Sequence, residues 1–230
     1  MIDFMENSVF FGAFISLAAY GIGAWLKQKT GLAVFNPLLV AVVLVIAVIS
    51  LAGIDYPKYN AGAQYISYLL TPATVALAIP LYKQISKLRE NAPAIIVGIV
   101  TGVLSSAVCI LILAKLFSFT HEEYVTFLPK SITTAIGMGV SEELGGYVAI
   151  TAAVIIITGI FGNIIGELVL KLLHIHEPVA KGIALGSASH AIGTAKAMEL
   201  GEVEGAMSSL SIVLSGILTV IGSMVFANLH

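Results

Sequence analysis

Three short stretches of this chain gather side chains able to bind a small charged molecule. "LGSASHAIGTAK" carries Ser187, Ser189, His190, Thr194 and Lys196. "LPKSITTAIGMGVSEE" carries Ser131, Thr133 and Thr134 and closes on Glu142 and Glu143. "TPAT" carries Thr71 and Thr74. Hydroxyls donate hydrogen bonds without bringing net charge, an imidazole changes charge near physiological pH, and an ammonium attracts an anion. The set suits a small carboxylate anion. On a helix His190 and Thr194 share a face, with Ser187 one turn before His190.

Each of these residues also has a plainer reading. His190 can be a neutral imidazole bonded to a backbone carbonyl, and Lys196 can extend its stem along apolar surface to reach the interface. Glu142, Glu143 and Glu204 are candidates for gating or coupling. As the alternative, the first two form a solvated loop pair and Glu204 sits in a solvated turn. Asn163 and Glu167 lie one turn apart in an apolar segment, which points them at protein rather than lipid. His174, His176 and Glu177 lack a fourth ligand, so no metal site is expected. No cofactor fingerprint, nucleophile elbow or metalloprotease motif occurs, and enzymatic activity is not expected. The lone Cys109 lies in an apolar run and reads as packing.

What must position these residues follows from composition. Of the 230 residues 58% are apolar and 10% charged, against about 25% charged in a soluble domain, and the mean hydropathy is +1.02. The apolar runs are continuous rather than alternating, which excludes a membrane β-barrel. An all-α polytopic membrane protein in the lipid bilayer, with about 6–8 transmembrane segments, is therefore expected. No basic run suggests nucleic acid. The opening "MIDFMENSVFFGAF" has no basic leader, so no cleaved signal peptide is expected.

Spans are expected at residues 8–26, 37–54, 61–82 (broken at "TPAT"), 93–117, 147–173 and 203–229. Lys27, Lys29, Lys83, Lys87, Arg89, Lys171, Lys181 and Lys196 can share the cytoplasmic side if the N-terminus faces out. Lys58, Lys115 and Lys130 then fall on or toward the other side. Residues 131–141 are too short to span, and residues 182–200 are too polar to face lipid. Both are expected to be half-helices or re-entrant hairpins. "IVTGVLSS" at 99–106 resembles "IITGIFGN" at 156–163, which suggests an inverted repeat. The chain is then one domain, 1–230, with scaffold helices in 1–60 and repeats at 61–117 and 128–229. Thr71 before Pro72, and Ser131, could cap half-helices whose N-termini attract an anion. Gly159, Gly162 and Gly166, with Gly182 and Gly186, read as close-packing faces. Such faces would permit a homodimer.

The stretches "LPKSITTAIGMGVSEELGG", "IITGIFGNIIGELVLKLLHIHEPVAKG" and "GIALGSASHAIGTAKAMELGEVEGAMSSL" resemble the LrgB/CidB family. The likeness is strong from Leu128 onward and weak before Tyr56. It implies a bacterial inner- or plasma-membrane protein with a small membrane partner of the LrgA/CidA type. It also implies a role as a holin- or antiholin-like modulator of murein hydrolase export and lysis. Similar proteins are associated with pyruvate movement, and a plastid relative moves glycolate and glycerate. The hydroxyl-rich broken segments favour the carrier reading over a pore.

Overall fold

The structure, a computed structural model, describes residues 10–76 and 78–230, and of these all side chains except those of Ala33, Leu70, Thr71 and Thr74. Among the described residues there is no β-strand. The chain divides into two compact units, Met1–Ala76 and Leu77–His230.

In the first unit, α1 (Phe11–Thr30) and α2 (Pro37–Ala52) pack together. Gly23 of α1 lies so close to Pro37 that a Cβ would stand 2.8 Å from the Pro37 backbone. Asn36 caps α2, its Oδ1 accepting from Leu38 N at 2.9 Å and Leu39 N at 3.2 Å, with Pro37 in the first turn. Helix α3 (Tyr56–Ser67) packs on α1, where Ser16 Oγ and Tyr59 Oη share a 2.8 Å hydrogen bond. Helix α4 (Leu70–Ala76) follows. It starts before Thr71, so Thr71 lies inside its first turn and not at the cap. The side chains of Thr71 and Thr74 lie outside the described residues.

The second unit opens with two short helices, α5 (Ala78–Lys83) and α6 (Ile85–Glu90). The expected span at 61–82 is thus a series of short helices. Then come α7 (Ala92–Phe117), α8 (His121–Phe127), α9 (Thr134–Glu143), α10 (Val148–Leu172), α11 (Pro178–Leu200) and α12 (Glu202–Phe226). Three helical stretches, Ala92–Phe117, Val148–Leu172 and Glu202–Leu229, are long and apolar enough to cross a membrane. Their bounds lie within about a residue of the expected spans, because proline and glycine or polar turns punctuate them on both sides. Large side chains such as Ile96, Val97, Ile112, Leu168 and Ile221 remain exposed on them. That surface is suited to lipid.

Helix α11 packs against α12, α10 and α7. Its first half lies on α7, where a Cβ at Gly98 would stand 3.4 Å from Ile183 Cγ2 and one at Gly102 3.2 Å from Ser187 Oγ. On α10, Gly159, Gly162 and Gly166 face His190, Ser189 and Leu185 in turn. Gly182 and Gly186 bring α11 against the Glu204 and Ser208 backbone of α12. These glycines are contact points, as their spacing suggests. Small residues let backbones meet where no hydrophobic effect drives helices together.

Candidate functional site

Helix α11 is broken at its centre. Ser189 (φ −133°, ψ 18°) and His190 (φ 43°, ψ −137°) leave the helical region. A non-glycine residue at positive φ persists only when its surroundings hold it. His190 is 3% exposed, and its Nε2–H donates to the Ile155 carbonyl of α10 at 2.9 Å. Asn163 Nδ2 donates to the Ile192 carbonyl at 2.8 Å, just past the break. Thr194 Oγ1 donates to the His190 carbonyl at 3.0 Å and is hydrogen-bonded to Ser208 Oγ of α12 at 2.7 Å. Ser187 Oγ donates to the Ile183 carbonyl at 2.6 Å. Side chains of α10, α11 and α12 thus bond the polar groups around the break, as irregular backbone at membrane depth requires.

A cavity of about 500 Å³ lies beside the break, between α10 and α11. Pockets for small molecules usually hold roughly 300–1,000 Å³. Its walls include Ile157, Phe161, Ile165 and Val169, and its polar lining comes from Thr158, Ser189 and Lys130. Thr158 and Gly162 flank residue 160, the midpoint of the 25-residue α10.

Lys130 is the residue that sequence reasoning missed. The charge count assigns it to a loop toward the outer side; the structure places it, partly buried, in the lining of the cavity between α10 and α11. Its Nζ donates to Ser131 Oγ at 2.9 Å. Among the described residues no carboxylate pairs with it. A lysine at the centre of a membrane helix costs about 2.5–3.5 kcal/mol on insertion scales and is a functional hypothesis by default. The signal was legible: a basic residue lodged between Pro129 and the hydroxyls of a segment too short to span.

Ser131 does not cap the following helix. Thr133 occupies that position, and α9 starts at Thr134. Instead Ser131 Oγ lies 3.3 Å from Ser106 Oγ of α7, and both line a second cavity of about 90 Å³ between α7 and α12. Adjacent residues, Lys130 and Ser131, therefore face different cavities. Lys130 and Ser189, one from each polar segment, line the same cavity, whereas Ser131 and His190 do not share one. Thr133 and Thr134 are partly buried at the start of α9 and line neither cavity.

The charged candidates separate. Lys196 forms ion pairs with Glu167 of α10 at 2.8 Å and with Glu199 at 3.3 Å, and Glu167 also holds Lys171 at 2.8 Å. That cluster ties the end of α11 to α10. Glu142 and Glu143 are exposed at the end of α9. Glu204 is 8% exposed in the first turn of α12 and packs on Gly201. Among the described residues no cluster of histidine, cysteine and carboxylate groups could hold a metal ion.

Comparison with known proteins adds the following. Residues 16–229 match the LrgB-like family. The chain is similar to "Antiholin-like protein LrgB" of Bacillus mycoides, 42% identical over 213 residues, covering 92% of this chain and 93% of the relative. Proteins of the same name from Bacillus cereus and Bacillus anthracis are 41% identical over the same shares. No solved structure matches.

Proposed function

The chain belongs to the LrgB-like family, and on that premise we propose an antiholin-like membrane protein whose molecular activity is the carriage of small monocarboxylates. It is a multi-pass bacterial cell-membrane protein. The antiholin-like role is favoured by its relatives, antiholin-like proteins; regulation of murein hydrolase export and cell lysis is the form that role would take. The carrier activity is favoured by one observation: a buried polar break in α11, placed against the middle of α10 beside a cavity of about 500 Å³.

A regulator acting only through helix assembly needs no such cavity. A carrier does, because broken helices at mid-membrane supply polar groups for the cargo without exposing them to lipid. Pyruvate, glycolate and glycerate are the cargoes of the right size and charge. A small LrgA/CidA-type partner and a second copy of this chain are the partners to test. The resemblance between 99–106 and 156–163 gains interest because both Thr-Gly pairs, Thr101-Gly102 and Thr158-Gly159, sit on helices that flank α11.

The test is uptake of labelled pyruvate and glycolate into proteoliposomes that also contain a trapped dye. Saturable uptake with the dye retained supports carriage. Dye release at the rate of acid entry supports a holin-like lesion. No passage of either, with or without the small partner, leaves regulation without flux and ends the carrier reading.

A further inference from the structure

We propose that Lys130 is the counter-charge of an anion site in the cavity between α10 and α11, and that this site selects singly charged acids with an apolar tail. The inference rests on the carrier reading and specifies the group that holds the cargo.

Three observations converge. Lys130 is the cationic group lining the cavity, and among the described residues no carboxylate neutralises it. Among the described residues its Nζ has one hydrogen-bond acceptor, Ser131 Oγ at 2.9 Å, and an ammonium carries three donors, so donors remain for a ligand. The cavity runs along α10 from its centre at Ile157 to Leu170, among apolar side chains where an ammonium without a partner is costly and a bound carboxylate would relieve it.

The walls then set the selectivity. One cation balances one negative charge. A second carboxylate would enter a lining dominated by Ile157, Phe161, Ile165 and Val169, where nothing charged answers it. Those side chains suit a short hydrocarbon tail, and Thr158 and Ser189 offer hydroxyls for one further polar atom. Ser131, on the opposite side of the lysine, reaches Ser106 in the second cavity. A carboxylate leaving Lys130 in that direction would meet neutral hydroxyls and no trapping charge.

The experiment uses the full chain in proteoliposomes, with labelled butyrate, pyruvate and succinate as probes. Wild-type protein is expected to take up butyrate and pyruvate at least tenfold faster than succinate. Lys130→Gln should lower butyrate uptake at least tenfold, and Lys115→Gln, on the exposed end of α7, should leave it unchanged. To separate charge from folding, Lys130→Cys is made in a Cys109→Ala background. Modification with an aminoethyl thiosulfonate should restore uptake, whereas the methyl reagent should not. Unchanged uptake in Lys130→Gln, or equal uptake of succinate, overturns the site while leaving carriage standing. Absence of all uptake in the wild type overturns carriage and the site with it.

Discussion

The side chain of Ser189 occupies the space in which a Cβ on Gly162 would stand. The break in α11 is thus seated in a notch on α10, and the two cannot be altered independently. Gly162→Ala should push Ser189 out and destabilise the protein by about 1–3 kcal/mol, the usual cost of overpacking. Gly139→Ala, in α9 with open space around it, should be neutral or mildly stabilising. Thermal unfolding of both variants in detergent would check the contrast.

His190 adopts φ 43° and is anchored by the Ile155 carbonyl. Replacement by alanine removes the anchor and keeps the backbone cost; replacement by glycine removes both. His190→Gly should therefore be more stable than His190→Ala by about 1 kcal/mol. The reverse order in denaturant melts would mean that the break is not strained.

Thr151 is fully buried, and its hydroxyl is hydrogen-bonded to the Thr126 carbonyl at 3.0 Å and to Ser141 Oγ at 2.7 Å, joining α8, α9 and α10. Thr151→Val keeps the shape and strands both partners, which should cost about 1–3 kcal/mol. Hydrogen exchange at α9 is the sensitive readout: protection should fall there first.

Lys196 and Glu167 meet at 2.8 Å between α11 and α10, with side chains 17% and 34% exposed. A double-mutant cycle with Lys196→Met and Glu167→Gln should give a coupling of about 1 kcal/mol. Coupling near zero would make the contact incidental. Loss of acid uptake without loss of stability would instead return Lys196 to the cargo site.

Ser215 Oγ is the one buried side-chain polar atom, among the described residues, without a hydrogen-bond partner. Leaving a buried hydroxyl unmade is costly, so Ser215→Ala should raise stability by up to about 1 kcal/mol if the atom serves only the fold. A drop in uptake at unchanged stability would show that it meets cargo or water during transport.

Much of this architecture was legible in the chain itself. The spans at Ala92–Phe117, Val148–Leu172 and Glu202–Leu229 follow from apolar runs long enough for a bilayer, bounded by residues that stop helices. The break near Ser189 follows from hydroxyls, glycines and a histidine packed where lipid exposure would be prohibitive. Even the glycine faces of α10 and α11 could be read, because in lipid small residues mark where backbones touch.

What only tertiary structure decided was which polar group meets which. Composition puts Lys130 in a loop and Ser131 at a helix cap, but charge counting knows nothing of where a loop folds. The fold of the turn before α9 gives Lys130 to one cavity and Ser131 to another, while packing of α10 on α11 commits His190 to a carbonyl and joins Lys196 to Glu167. Helix formation depends on neighbours within a few residues, and so is written locally. Partnering between buried charges depends on contacts distant in sequence, which exist only once the helices have packed.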